Sequence, residues 1–163
     1  SPKLGFILNN EMGDFNPHPG YTNSGWLIGT DPNLIAPKKR MLSSMTPTII
    51  SEDGKPVLII GSPGGRTIIN TVFQTVLCFL EYKMSLRESI ESMKIHHQWL
   101  PNELIYEKDK LANDTVKALK LMGHDLHGRN SLGRLMGIAI DKETGVYSGV
   151  SDSSSPDGRA VGY

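Results

Sequence analysis

Two carboxylates lie close together near the start of the chain, where their spacing allows chemistry. Glu11 and Asp14 follow residues 4–8, an apolar segment that predicts a β-strand. Side chains just past the end of a strand can converge on one point, and paired carboxylates act as general acid and base or bind a cation such as an ammonium group. Acidic residues on a solvated turn explain the same spacing equally well.

Hydroxyl groups form a second candidate cluster. Ser43 and Ser44 are flanked by Met41, Leu42 and Met45, and hydroxyls in such apolar surroundings need hydrogen-bond partners when they are buried. They can donate to a carboxylate, although serines in a loop also bond to the nearby backbone. No Gly-x-Ser-x-Gly motif surrounds Ser44, so it is not predicted to be a hydrolase nucleophile.

A glycine pair forms the third cluster. Gly64 and Gly65 stand between residues 57–60, which predict a buried strand, and residues 67–82, which predict a helix. Amides at the start of a helix have no intrahelical partner and lie at the positive end of its dipole, and glycine lets another group approach them. The corner is therefore a candidate oxyanion hole. The alternative is an ordinary strand–turn–helix corner.

The chemistries of the three clusters complement one another. Carboxylates accept hydrogen bonds from an ammonium group, hydroxyls donate to a carboxylate, and exposed backbone amides stabilise an oxyanion. Together they predict a receptor for an amino acid whose carbonyl group is under attack. The attacking group is not among them.

The elements that must position these clusters are hairpins and helices. Residues 46–50 and 57–60 flank an Asp-Gly turn, and residues 135–140 and 146–150 flank a second turn, so each pair predicts a β-hairpin. Further predicted elements are a helix from the capping box at Ser85 to about Met93, a helix from Asn113 or Asp114 to Met122 with Gly123 as its C-cap, and a short strand over 159–163. The pattern indicates an α+β fold, an antiparallel sheet with helices packed on it.

Composition narrows the class of protein. The 163 residues contain 17 basic and 17 acidic side chains, which predicts a single domain over 1–163 and no nucleic-acid partner. Cys78 lies in an apolar run and is expected to be buried, and the five histidines lack zinc-ligand spacing, so neither a metal nor a cofactor is predicted. Residues 15–42, rich in Pro, Gly and Asn, predict a long loop that packs as a lid. No transmembrane span or signal peptide is indicated.

The motifs around the three clusters resemble those of the γ-glutamyltranspeptidase family. The matching segments are residues 9–15 (NNEMGDF), 42–48 (LSSMTPT), 61–65 (GSPGG), 96–101 (HHQWLP) and 162–163 (GY). These segments are distributed over nearly the whole chain, and they occur in the same order as in the family.

The resemblance implies the αββα sandwich of the N-terminal-nucleophile hydrolases. A precursor of this kind cleaves itself into a large and a small subunit, and the new N-terminal threonine of the small subunit is the nucleophile. The implied reaction moves the γ-glutamyl group of glutathione or a related amide to water or to an acceptor amino acid or dipeptide. The implied roles are binding of the donor's α-amino group by Glu11 and Asp14, binding of its α-carboxylate by Ser43 and Ser44, and an oxyanion hole formed by Gly64 and Gly65.

Some positions depart from the family pattern. The chain resembles the C-terminal part of the small subunit, and no internal threonine has the free α-amine that would act as its base, so the isolated chain is expected to be inert. Gly13 stands where the family often has an acidic residue. Some members close the pocket with a lid tyrosine, and here Gly25 lies near the expected position, while the lid offers Tyr21 and Trp26. The family also implies a periplasmic, extracellular or cell-surface location.

Two other functions are compatible with the residues. One is a glutaryl-type acylase of the same fold, although a substrate without an α-amino group would leave Glu11 and Asp14 uncompensated. The other is a non-catalytic γ-glutamyl-binding protein that keeps the pocket and has lost the nucleophile.

Overall fold

The computed structural model describes residues 5–16, 18–21, 29–43 and 45–162. These residues belong to two compact units, one within Ser1–Ser44 and Trp99–Asn102 and the other within Met45–Gln98 and Glu103–Tyr163. The first unit carries the carboxylates, and the second carries the glycine corner. The single domain expected over 1–163 stays a prediction.

The first unit is built from turns. Glu11–Asp14 and Asp31–Asn33 form short 3-10 helices, and an isolated parallel bridge joins Asn16 to Leu34. Phe15, which is 8% exposed, is the one buried apolar side chain in the described part of this unit. Hydrogen bonds therefore contribute more to the shape of this unit than an apolar core does.

The second unit combines strands and helices. Its described elements are β1 (Thr48–Glu52), β2 (Lys55–Gly61), α1 (Ile68–Leu80), α2 (Leu86–Glu91), β3 (Ile95–His96), β4 (Leu104–Glu107), α3 (Asn113–Leu121), β5 (Leu126–Arg129), β6 (Met136–Ile140) and β7 (Tyr147–Ser151). Strands β1, β2, β6 and β7 form an antiparallel sheet in that order. A smaller sheet has the order β3, β4, β5, and in it β4 and β5 run parallel on either side of the α3 connection.

Helices α1 and α2 pack on one face of the four-stranded sheet. Leu58 and Ile60 on β2 point to this face and join Val72 of α1 and Ile90 of α2 in one apolar cluster. A Cβ at Gly137 of β6 would lie 3.3 Å from the Ile90 side chain, so the absence of a side chain there lets α2 lie close to the sheet. The glycine corner thus connects β2 and α1, which both contribute to the apolar core of the second unit.

The opposite face of the same sheet is apolar and open. Ile49 of β1 and Tyr147 of β7 are 67% and 68% exposed, and Met136 and Ile138 of β6 are exposed as well. Register explains this division, because Ile49 and Ile138 flank Ile59 in one row that points away from the helices. These exposed apolar side chains lie on the same face of the sheet and form one patch, unlike single apolar residues scattered over a surface.

Most predicted elements of the second unit are confirmed. The Asp-Gly turn has positive φ at both Asp53 (52°) and Gly54 (75°), as a type I′ hairpin requires. Helix α2 begins with the predicted capping box, in which Ser85 and Glu88 bond reciprocally, and Gly123 follows α3 with a φ of 91°. Helix α1 buries Thr71 and Thr75, while Ile69 and Phe73 of its broad apolar stripe are exposed.

Two predicted strands are wrong over their described residues. Residues 5–8 and 159–162 carry no strand, because no described strand pairs with either segment. Strands β3, β4 and β5 were not predicted, since they are only two to four residues long and lack a clean alternation of apolar residues. No helix among the described residues has the length and apolar character needed to cross a membrane.

Candidate functional site

The two carboxylates of the first unit lie on one helical turn. Glu11–Asp14 is a 3-10 helix, in which residues three apart eclipse one another, so Glu11 and Asp14 project to the same side. Both residues are partly exposed, and the Glu11 amide donates to Asn9 Oδ1 at 3.2 Å. Within the described residues the Asp14 carboxylate has no cationic partner. The arrangement suits a small cationic group.

Asn33 holds this turn in place. Its Nδ2 donates to the Asp14 carbonyl oxygen at 2.6 Å, and its Oδ1 accepts from the Leu42 amide at 3.1 Å. Its own carbonyl oxygen accepts from the Asn16 amide at 2.9 Å. One side chain thus connects the carboxylate turn to the segment that leads into Ser43. The sequence analysis missed Asn33. The one signal that could have indicated it is its place in the turn-forming sequence Asp-Pro-Asn.

The serine and lid predictions are only partly described. Ser43 is exposed and has a polar contact, whereas Ser44 lies outside the described residues. Of the lid candidates, Tyr21 makes an edge-to-face contact with His18 at 6.1 Å between ring centroids, and Trp26 lies outside the described residues. The described lid residues 18–21 and 29–42 carry one short 3-10 helix and the Leu34 bridge.

The glycine corner has a backbone that other residues rarely adopt. Gly64 has a φ of 150° and Gly65 a φ of 57°, and both are exposed between β2 and α1. The Gly64 carbonyl oxygen accepts from the amide and hydroxyl of Thr67 at 3.2 and 3.0 Å. Within the described residues neither glycine amide has a hydrogen-bond acceptor. Two amides of exposed glycines that have no acceptor among the described residues are suited to bind an anionic oxygen.

A loop between β5 and β6 supports the corner from behind. The Leu132 carbonyl oxygen accepts from the hydroxyls of Thr67, at 3.1 Å, and Thr71. A Cβ at Gly64 would lie only 2.7 Å from Thr67 Oγ1, so the close approach of this threonine requires glycine. The predicted helix pattern could not reveal these contacts, because Leu132 is 61 residues from Thr71 in sequence.

The corner and the carboxylate turn belong to different compact units. The structure therefore gives the local geometry of the corner and of the carboxylate turn, and the assignment of all six residues to one substrate site stays a prediction. Among the described residues no group of three or more His, Cys, Asp or Glu side chains is placed to hold a metal ion.

Comparison with solved structures defines the class of protein. The crystal structure of a threonine-to-alanine variant of the γ-glutamyltranspeptidase from Helicobacter pylori matches with a TM-score of 0.85 and 40% sequence identity, over 93% of this chain and 83% of that chain. The chain therefore has the fold of the N-terminal-nucleophile hydrolases, and the predicted α+β class with helices on an antiparallel sheet is confirmed.

Sequence comparison gives the family. The family model described as gamma-glutamyltranspeptidase matches residues 1–162. The glutathione hydrolase proenzyme of Escherichia coli K12 is 42% identical over 159 residues, or 98% of this chain. That of Bacillus subtilis 168 is 42% identical over 162 residues, or 99% of this chain. The chain belongs to the γ-glutamyltranspeptidase family, as its motifs predict, and it spans 27% and 25% of the length of these two relatives.

Proposed function

We propose that this chain serves an enzyme that transfers the γ-glutamyl group of glutathione, or of a related γ-glutamyl amide, to water or to an acceptor amine. The observation that carries the proposal is the glycine corner, where the amides of two exposed glycines lack acceptors among the described residues. The names of the bacterial relatives, which are glutathione hydrolases, support the choice of substrate.

The chemistry needs a nucleophile and stabilisation of charge. In the proposed reaction the hydroxyl of the family's threonine attacks the γ-carbonyl carbon, a C–O bond forms, and the C–N bond breaks as the leaving amine takes the hydroxyl proton. The amides of Gly64 and Gly65 would stabilise the oxyanion that forms before the C–N bond breaks. Water or an amine then attacks the ester and returns a proton to the threonine oxygen, which regenerates the enzyme.

The proposed roles of the first unit follow from charge and hydrogen bonding. Glu11 and Asp14 project from one side of their 3-10 turn, which supports binding of the donor's α-ammonium by both carboxylates. Ser43 and Ser44 are proposed to donate to the α-carboxylate. An α-amino acid group would then be recognised at both of its charged ends.

The remainder of the protein is the proposed partner of the open sheet face. Ile49, Ile138 and Tyr147 expose an apolar surface on the side of the four-stranded sheet that faces away from α1 and α2. In an αββα sandwich this face would pack on a second sheet. The proenzyme names of the relatives support a large subunit from the same precursor.

A periplasmic, extracellular or cell-surface location is also part of the proposal, and cell fractionation would test it.

The experiment compares two donors in the full-length, processed protein. One is γ-glutamyl-p-nitroanilide, and the other is glutaryl-p-nitroanilide, which lacks only the α-amino group. We expect turnover of the γ-glutamyl donor, and we expect Asp14→Ala to lower its kcat/KM at least about tenfold because a charged hydrogen bond to the ammonium is lost.

The outcomes separate the three candidate functions. Preference for the glutaryl donor would favour an acylase, and tight binding of the γ-glutamyl donor without turnover would favour a binding protein. Asp114→Ala is the matched control, because among the described residues the one partner of its carboxylate is Lys117, in an exposed ion pair on α3. Unchanged kinetics in Asp14→Ala would remove Asp14 from the site.

A further inference from the structure

A cavity of about 290 Å³ adjoins the glycine corner within the second unit. Its lining includes Gly64 itself, and also Arg129 at the end of β5 together with Ser131 and Arg134 from the loop before β6. The described residues that line it include no Asp or Glu. The cavity therefore offers hydrogen-bond donors and positive charge beside one of the two proposed oxyanion-binding amides.

Both arginines are available to a ligand. Arg129 and Arg134 are exposed, and within the described residues neither guanidinium has an ion pair or a hydrogen bond. Some basic side chains of this unit have acidic partners, such as Lys110 beside Glu91 and Glu107. Two arginines that line one cavity and have unpaired guanidinium groups are a suitable receptor for a carboxylate, which binds guanidinium through two parallel hydrogen bonds.

The backbone that carries Arg134 is fixed to the corner. Its amide donates to Ser62 Oγ at 3.0 Å, and that hydroxyl donates in turn to the Pro63 carbonyl oxygen at 2.7 Å. The preceding Gly133 has a φ of 140°, and a Cβ there would lie 2.6 Å from Ser62 Oγ. The cationic loop and the glycine corner therefore hold a fixed spacing, which a binding site requires.

The chemistry of the donor explains what the cavity would bind. If the oxygen of the scissile carbonyl lies at the Gly64 amide, the leaving group must begin next to the cavity. The leaving group of glutathione is a dipeptide that ends in a free carboxylate, and two extended residues span about 7 Å. A volume near 290 Å³ lies at the lower end of small-molecule sites, which begin at roughly 300 Å³, and it suits so small a group.

We infer that Arg129 and Arg134 form a carboxylate subsite for the leaving group of the donor and, because an acceptor attacks by the reverse of leaving-group departure, for the acceptor dipeptide as well. This inference rests on the proposed γ-glutamyl transfer. It makes the enzyme selective for γ-glutamyl donors and acceptors that end in a free carboxylate.

The kinetic test uses two donors that differ only in this carboxylate. Glutathione and its glycine ethyl ester are compared in the full-length, processed protein. We expect Arg134→Gln and Arg129→Gln each to lower kcat/KM for glutathione about tenfold, as expected for loss of a charged hydrogen bond, and to leave the ester nearly unchanged. Arg159→Gln, an exposed arginine outside the cavity, is the matched control, and Arg134→Lys, which keeps the charge, should retain part of the preference.

A binding measurement separates this inference from the proposed function. Isothermal titration of cysteinylglycine and of cysteinylglycine amide into the same proteins needs no turnover. If Arg129→Gln and Arg134→Gln weaken the binding of cysteinylglycine but not of its amide, the result supports the subsite even if glutathione is not hydrolysed. In the kinetic test, equal losses of kcat/KM for glutathione and its ester in Arg129→Gln and Arg134→Gln would overturn the inference. An unchanged preference for glutathione over the ester in these variants would overturn it as well. Failure of the wild-type protein to turn over either donor would contradict the proposed reaction instead.

Discussion

The glycine corner and the carboxylate turn are held in place by different forces. Thr67 and Thr71, which bond to Leu132 behind the corner, are buried at the start of α1. The Glu11–Asp14 turn has one buried apolar neighbour, Phe15, within the described part of its unit, and it depends on the side chain of Asn33. The corner is fixed by buried hydrogen bonds beside an apolar core, whereas the turn is fixed by hydrogen bonds with almost no apolar core beside them.

This difference has a consequence for function. A candidate oxyanion hole uses backbone amides, whose directions follow from φ and ψ, so the packed core behind Gly64 keeps those directions constant. A carboxylate site uses side chains, which can change rotamer at modest cost. At the corner we therefore expect activity to depend on the local backbone conformation. At the turn we expect it to depend on Asn33, which is distant in sequence from the carboxylates.

The largest effect is expected at Gly64. A Cβ there would lie 2.7 Å from Thr67 Oγ1, and the φ of 150° is unfavourable for any side chain. In Gly64→Ala the peptide must rotate, which moves the amide away from the oxyanion. We expect kcat for a γ-glutamyl donor to fall about 100-fold in the full-length protein, similar to the loss of one oxyanion-hole donor.

Gly65→Ala sharpens this prediction. A Cβ at Gly65 meets no atom within 4 Å, and the residue has a φ of 57°. Alanine can adopt this left-handed region at a cost of roughly 1–2 kcal/mol, so the decrease in kcat should be smaller than in Gly64→Ala. Wild-type kcat in a folded Gly64→Ala protein, judged by an unchanged melting temperature, would show that the corner does not stabilise the reacting oxygen.

A smaller effect is expected from Asn33→Ala in the turn. This change removes the bonds to the Asp14 carbonyl oxygen and the Leu42 amide, so the carboxylates lose their fixed position. We expect KM for a γ-glutamyl donor to rise about tenfold, since roughly 1 kcal/mol is lost for each bond. The melting temperature should change little, because the apolar core lies in the second unit.

The matched control for this prediction is Asn113→Ala. Asn113 is the first residue of α3, and within the described residues its side chain makes no hydrogen bond. A rise in KM that is equal in both variants would indicate a general effect of losing an asparagine. A large drop in melting temperature in Asn33→Ala alone would show that the turn stabilises the fold instead of positioning the carboxylates.

Sequence was sufficient for elements whose signals are local. The Asp53–Gly54 turn, the Ser85 capping box and the Gly123 helix end each depend on neighbours within a few residues, and the structure confirms all three. Glu11 and Asp14 were also found locally, because two acidic residues three positions apart are visible in the chain.

Sequence was insufficient where long-range contacts decide the structure. Asn33 reaches Asp14, 19 residues away, and Arg134 reaches Ser62, 72 residues away. Neither contact leaves a periodic pattern, so the positioning residue of the turn and the cationic cavity beside the corner could be recognised only in three dimensions. The strand predicted over residues 4–8 is wrong over its described residues 5–8 for the same reason, since an apolar segment pairs only where another strand is placed beside it.

The smallest effect on activity is expected from Lys94, a buried cation of the second unit. Lys94 is 2% exposed, and its ammonium group donates to the carbonyl oxygens of Ser89 and Ile90, both at 3.1 Å, near the end of α2. Burial lowers the pKa of Lys94 from 10.5 to about 8, and the nearby Glu107 carboxylate opposes this change. The folded protein therefore loses this proton at a lower pH than the unfolded chain does.

The sign of the pH dependence follows from proton counting. Between about pH 8 and 10.5 the unfolded chain holds the Lys94 proton and the folded protein releases it, so this group adds stability as the pH rises, by up to about 1.4 kcal/mol per pH unit. Below pH 8 both states are protonated, and the contribution is constant.

We expect the melting temperature of the wild-type protein to rise relative to that of Lys94→Met between pH 8 and 10, with donor kcat at pH 7 similar in both. A difference between the two melting temperatures that stays constant over this range would contradict the lowered pKa. A large loss of kcat in a folded Lys94→Met protein would show that α2 positions the glycine corner and does not merely stabilise the sheet beside it.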